Sequence, residues 1–130
     1  MAAPTMTAQG INREMHCATV KFTWDATADA TTANSDVIVP AGAQIISVGV
    51  RAGATGEAVP STGTNITVLV GGTAVSAAVA RNSNYDAVGD SYTQAALFYT
   101  DAGRDNGAIG VLTSGVHDAG NTYVTVCYVV

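Results

Sequence analysis

Hydrophobic and polar side chains alternate along several short segments of this chain. From His16 to Trp24 every second residue is apolar, and these residues are Ala18, Val20, Phe22 and Trp24. The segments Asn65 to Val70 and Asn121 to Val130 alternate in the same way. A period of two is typical of a strand with one buried face. We therefore predict a β-strand in each of the three segments.

Shorter apolar runs and turn residues predict the remaining strands. These strands are Asp36 to Val39, Gln44 to Arg51 with Ile46, Val48 and Val50 on one face, Thr73 to Val75, Leu97 to Thr100, and Ala108 to Thr113. Pro40-Ala41-Gly42 predicts a turn, and Gly71-Gly72 predicts a hairpin, because both turns need a positive φ that glycine allows. Helical periodicity over ten or more residues is absent from the sequence.

The number and spacing of these strands predict the fold class. Seven or eight short strands with frequent turns indicate an all-β, antiparallel β-sandwich. The long connections Ala26 to Asp36 and Gly53 to Gly63 favour a jelly-roll or Greek-key arrangement. We expect residues 1–15 to form an N-terminal arm and residues 16–130 to form a single β-sandwich domain.

The charge of the chain excludes two classes of partner. Its 130 residues carry a formal net charge of -5, and only 12% of them are charged. The five basic residues are scattered, so no basic patch for nucleic acid or an anionic membrane is expected. The first ten residues lack the features of a secretory signal, so we expect the protein to act without export. A polar surface with few charges suits contact with other protein molecules.

Four residues are candidates for nucleophilic catalysis. Ser114, His117 and Asp118 are the components of a hydrolase triad, and Cys17 with His117 is an alternative pair. Residues so close in sequence rarely orient one another as a triad requires. We predict that Ser114, His117 and Asp118 lie in a turn between two strands, that Cys17 lies in a strand, and that the protein is not an enzyme.

A few residues are also candidates for binding a metal ion or a sugar. Glu14, His16 and His117 are possible zinc ligands by type, and Asp101 to Gly107 resembles a calcium loop but lacks the EF-hand spacing. We expect no metal and no cofactor. Exposed aromatic residues would form a platform for a sugar ring, and the candidates are Trp24, Tyr92, Phe98, Tyr99, Tyr123 and Tyr128.

Two cysteines, Cys17 and Cys127, lie near opposite ends of the chain. A disulfide would join them if the first and last strands were neighbours. Without a sign of export, we predict reduced and buried thiols instead.

Two segments and the final strand resemble small structural proteins of tailed-bacteriophage particles. The segments are Val37 to Val50, in which a Pro-Ala-Gly turn leads into a valine- and isoleucine-rich strand, and Ile66 to Val75. The final strand runs to Val130.

This resemblance implies a β-sandwich, often a jelly roll, that decorates or cements an icosahedral capsid, commonly as a homotrimer. The implied partner is the major capsid protein, and the implied location is the capsid surface of a virion assembled in the host cytoplasm. The family has no catalytic residues to transfer. The alternative is a carbohydrate- or receptor-binding β-sandwich module of a phage tail or fibre.

Overall fold

Nine strands form the described part of the chain. The computed structural model describes residues 2–4, 14–96 and 107–130. The strands are β1 (Met15–Thr27), β2 (Thr32–Val39), β3 (Gln44–Ala52), β4 (Asn65–Val70), β5 (Thr73–Ala74), β6 (Val79–Ala80), β7 (Ser91–Ala95), β8 (Gly107–Ser114) and β9 (His117–Val129). No helix in these ranges is long and apolar enough to cross a membrane.

The strands form two antiparallel sheets. The order is β1-β9-β3-β7 in one sheet and β2-β8-β4-β5 in the other, with β6 also paired to β4. The predicted all-β sandwich is therefore confirmed, with nine strands instead of seven or eight because β5 and β6 have only two residues each. The connections β1–β2 and β3–β4 both pass from one sheet to the other, as expected for a Greek key. The jelly-roll topology stays a prediction.

The core lies between the two sheets and follows the alternation of the sequence. Val20, Phe22 and Trp24 of β1 are buried, as are Val124 and Val126 of β9. The opposite sheet contributes Val39, Ile66, Val68, Val70, Ile109 and Val111. Burial of each such side chain stabilises the fold by roughly 1.5–3 kcal/mol relative to exposure.

Both predicted turns are present. The amide of Ala43 donates to the carbonyl of Pro40 at 3.2 Å, and Gly42 has a φ of 78°. Gly71 and Gly72, with φ values of 59° and 81°, join β4 to β5. Two successive positive φ angles are the signature of the hairpin turn expected there.

Several strand boundaries and one face differ from the prediction. A register shift between Ile45 and Ser47 makes Ile45 the buried residue, and Ile46 is only half-buried. Strand β2 begins at Thr32, inside the predicted loop from Ala26 to Asp36. The predicted strand from Leu97 to Thr100 lies outside the described residues.

The prediction of free thiols is wrong, because Cys17 and Cys127 form a disulfide. Strands β1 and β9 are adjacent, and their register places Cys17 directly opposite Cys127, with 4.1 Å between the two Cα atoms. Side chains in such directly opposed positions point to the same face, so the bond closes without moving either strand. The bond spans a sequence separation of 110 residues.

Candidate functional site

His117 begins β9, and its side chain is fully buried, so the prediction that it lies in a turn is wrong. Its Nε2 atom lies 2.9 Å from the Tyr85 hydroxyl, and its Nδ1 atom lies 3.2 Å from the carbonyl oxygen of Gly115. Both ring nitrogens are therefore occupied within the fold. Ser114, at the end of β8, has no imidazole base available to it.

Asp118, the third triad candidate, is the second residue of β9 and also lies outside the turn. Its carboxylate accepts hydrogen bonds from the backbone amides of Ser61 at 2.9 Å and Thr62 at 3.3 Å. The Ser61 hydroxyl also donates to it. These hydrogen bonds, led by that from the Ser61 hydroxyl, hold the pKa of Asp118 well below its usual range. Asp118 therefore anchors the β3–β4 connection instead of orienting His117.

The His117 ring is surrounded by Trp24, Gly63 and Tyr85, which come from other parts of the chain. We call these four residues the His117 cluster. The ring centroid of Trp24 lies 4.8 Å from that of His117, and the Tyr85 ring stacks at 5.9 Å. Gly63 lies so close that a Cβ atom there would be 2.8 Å from the imidazole. The cluster therefore has no free space beside the ring at Gly63.

The hydrogen bonds fix the tautomer of His117. A carbonyl oxygen only accepts, so Nδ1 carries the hydrogen and donates it to Gly115. The Nε2 atom is then the acceptor, and the Tyr85 hydroxyl donates to it. Burial lowers the pKa of His117 and raises that of Tyr85, so both side chains are neutral near pH 7.

Arg81 connects the β6–β7 loop, in which it lies, to the β3–β4 connection. Its Nε donates to the carbonyl oxygen of Gly63 at 3.0 Å, and its Nη1 donates to that of Pro60 at 3.3 Å. Its own carbonyl oxygen accepts from the amide of Tyr85 at 3.1 Å. The His117 cluster is thus an internal clamp between loops and strands, and no substrate reaches its imidazole.

The candidate zinc ligands do not lie together, because His16, with Glu14 two residues before it, is far from His117. His16 lies near the start of β1, whereas His117 pairs with Thr27 near its end. Eleven residues of extended strand separate these points by roughly 36 Å. Cys17 is close to His16 and is bonded to Cys127, so it is not a thiol nucleophile for His117. No group of three metal-ligating side chains occurs among the described residues.

The four aromatic candidates among the described residues do not form one platform. Trp24 is buried, Tyr128 packs partly against the core, and Tyr92 is exposed on β7. Tyr123 lies on the outer face of the sheet, but the Arg51 guanidinium covers its ring at 4.0 Å. Phe98, Tyr99 and the Asp101 to Gly107 segment lie outside the described residues.

The outer face of the β1-β9-β3-β7 sheet carries short hydroxyl side chains, and we call it the threonine face. Thr19 and Thr125 lie opposite each other with their hydroxyls 2.8 Å apart. The Thr23 hydroxyl donates to Oδ1 of Asn121 at 2.9 Å. Gly49 and Thr93 continue the row of Thr19 and Thr125 across β3 and β7. These cross-strand contacts produce a face of small polar residues.

One row of the threonine face carries charge. Tyr123 lies between Lys21 on β1 and Arg51 on β3. Its hydroxyl contacts both carboxylate oxygens of Glu57, at 2.9 and 2.8 Å, and Asn121 donates to the same carboxylate at 3.1 Å. The hydrogen bond from Tyr123 is the main reason that the pKa of Glu57 is lowered, and the same bond raises the pKa of Tyr123. Glu57 is therefore ionised and fixes the β3–β4 connection to the sheet.

A shallow groove of about 230 Å³ crosses the threonine face beside this row. Its lining includes Ser47, Gly49, Thr93 and Thr125, with Arg51 and Tyr92 also contributing. The groove is deepest at Gly49, which has no side chain and lies between Thr93 and Thr125. An ideal Cβ atom at Gly49 would lie 3.6 Å from the Thr93 hydroxyl and 3.8 Å from the Thr125 Cβ. The groove is open and offers hydroxyl groups, with no paired acid and base.

The sequence matches no protein-family model and no curated protein. Two solved structures contain chains with a similar fold. A chain of the cyanophage Pam1 capsid asymmetric unit has 19% sequence identity and a TM-score of 0.59, with 99% of this chain and 94% of that chain covered.

A chain in the acidic stable capsid structure of the Helicobacter pylori bacteriophage KHP30 has 17% identity and a TM-score of 0.58. The alignment covers 89% of this chain and 87% of that chain. The resemblance to phage structural proteins seen in the sequence thus extends to the fold of nearly the whole chain.

Proposed function

We propose that this protein is a structural component of a bacteriophage capsid, which it decorates and stabilises by bridging neighbouring shell subunits. The observation that supports the proposal is the likeness in fold to chains from two phage capsid structures over 99% and 89% of this chain. In this function the protein contacts the major capsid protein on the surface of the virion, after assembly in the host cytoplasm.

The side chains of the described residues agree with a role in binding other protein molecules. His117 and Asp118, the side chains best suited to acid–base catalysis, hold loops in place. The threonine face is a broad surface with few charges, and covering such a surface with another protein costs less desolvation energy than covering a charged one. A non-enzymatic role is therefore our proposal.

Bridging gains strength when several weak contacts act together. We propose a homotrimer, in which each copy contributes one contact and the linked contacts reinforce one another through effective concentration. In this arrangement the arm of residues 1–15 reaches a neighbouring subunit. Light scattering after size exclusion measures the number of copies in solution.

The test compares phage particles that carry this protein with particles from a phage lacking its gene. We expect particles without it to release DNA at a lower temperature, and addition of the purified protein to restore the original temperature. A chain with residues 1–15 deleted should bind particles more weakly while its circular dichroism spectrum keeps the strand signal.

Two results would overturn the proposal. The first is that particles with and without the protein release DNA at the same temperature. The second is that labelling locates the protein only at the tail. The second result would favour the carbohydrate- or receptor-binding module, which predicts saturable binding of a soluble sugar or receptor and loss of that binding on changing Tyr92.

A further inference from the structure

Strand β1 is a long edge of the four-stranded sheet. It has 13 residues and pairs through Met15–Thr27 with β9 on one side. On its other side no strand of residues 2–4, 14–96 or 107–130 pairs with it. An edge of this length presents a row of unpaired backbone donors and acceptors, which is a template for another strand.

The register identifies which residues present these groups. Cys17 and Cys127 have Cα atoms 4.1 Å apart, the short separation of a pair without mutual backbone hydrogen bonds. Because the two kinds of pair alternate, the odd-numbered residues from Cys17 to Asp25 direct their backbone N–H and C=O groups to the free edge. Their side chains lie on the exposed threonine face, where Lys21 and Asp25 carry opposite charges.

We propose that two copies of this protein pair antiparallel through their β1 edges, with Thr23 of one copy opposite Thr23 of the other. This register places Lys21 opposite Asp25 of the second copy, and the two-fold symmetry makes the same pair twice. Opposite charges directly across a ladder are stabilising. Isologous contacts of this kind are the commonest in homo-oligomers.

The charges on β1 favour this register over the registers centred on Lys21 or Thr19. Centring the contact on Lys21 would place the two lysines opposite each other, which is destabilising. Centring it on Thr19 would place Lys21 opposite the disulfide-bonded Cys17 of the second copy, which carries no charge. A lysine on an edge strand normally opposes pairing, and the register at Thr23 is the one that gives Lys21 an acidic partner. On the buried face the same register brings Phe22 beside Trp24 of the second copy, so the two cores become continuous.

This contact goes beyond the proposed capsid function, because it concerns copies of this chain and needs no shell. It uses only the β1 edge and is therefore compatible with a trimer formed through other surfaces. Loss of the contact halves the mass of the assembly, whatever else the protein binds.

The experiment uses charge exchange on the full chain. K21D places acids opposite Asp25, and D25K places lysines opposite Lys21, so each variant alone should associate at least tenfold more weakly than wild type. In a 1:1 mixture the acid at position 21 of one variant meets the lysine at position 25 of the other, and Asp25 of the first meets Lys21 of the second. The mixed assembly should therefore recover the wild-type mass in sedimentation velocity.

The control is D36K, which makes the same charge change on exposed Asp36 of β2 and should leave the mass unchanged. Circular dichroism melting of each variant checks that it is folded. Three results would overturn the proposal: wild-type mass unaffected by K21D and D25K, a mixture that stays at the mass of its components, or D36K acting as strongly as D25K. Association of wild type only with an added protein would instead assign the edge to a different partner.

Discussion

Replacing Tyr85 with phenylalanine tests the clamp built around His117. The change keeps the ring and removes the hydroxyl, which lies 2.9 Å from Nε2 of His117 in a fully buried site. The imidazole then has an acceptor nitrogen without a donor. Leaving a buried polar atom unsatisfied costs roughly 1–3 kcal/mol, and we expect Tyr85→Phe to lower the free energy of unfolding by this amount.

Urea denaturation at pH 7.5 measures the change, with the fluorescence of Trp24, the single tryptophan of the chain, as the signal. Tyr92→Phe is the matched control, because Tyr92 is 41% exposed and its change should alter stability by less than about 0.5 kcal/mol. Equal stability of the two variants would refute the hydrogen-bond argument. It would mean that the Tyr85 hydroxyl adds nothing to the clamp beyond the packing of its ring.

Two further predictions concern pH and the disulfide. Burial lowers the pKa of His117 below its ordinary 6.5, so on acidification the unfolded chain takes up this proton first. The free energy of unfolding should therefore fall below about pH 6.5 by up to roughly 1.4 kcal/mol per pH unit, until the folded pKa is reached; a flat urea-denaturation profile from pH 6.5 to 5 would contradict this. Reducing the bond between Cys17 and Cys127, which closes a separation of 110 residues, should lower stability by roughly 4–5 kcal/mol. Urea denaturation with and without dithiothreitol measures this loss, and identical midpoints would show that the bond adds no stability.

The alternation of β1 was predicted from sequence because one side chain in two faces the core without interruption. Val20, Phe22 and Trp24 are buried as expected. In β3 the irregularity beside Ile46 reverses the face of the residues before it, and no local signal in a run of apolar residues marks where that happens.

The His117 cluster could not be predicted for a related reason. Within β9 the buried positions change from odd at His117 to even at Thr122 and Val124. Gly120, with a φ of 94°, lies at this change. Where the buried positions of a strand change from odd to even, the alternation in the sequence is lost, and the segment containing His117 is therefore predicted as a turn. Its partners Tyr85 and Gly63 lie in loops, where hydrophobic periodicity gives no information about contacts.

The prediction of free thiols rests on the lack of an export signal, whereas the disulfide follows from the order of the strands in the sheet. The sequence showed two strands with a cysteine in each, but strand order is a property of the whole fold. Once β1 and β9 are neighbours, Cys17 faces Cys127 automatically.

The adjacency of β1 and β9 also determines when the four-stranded sheet can form as the chain leaves the ribosome. Strand β1 pairs only with β9 among the described strands, and Met15 lies opposite Val129. Strand β9 also separates β1 from β3, so β1 has no hydrogen-bonded neighbour among the described strands until β9 has been synthesised. Such distant pairing slows folding, because the loop-closure entropy is lost before the contacts are gained. The β1 edge of the sheet therefore cannot pair before β9 has been synthesised, and until then the apolar side chains of Val20, Phe22 and Trp24 are exposed to aggregation.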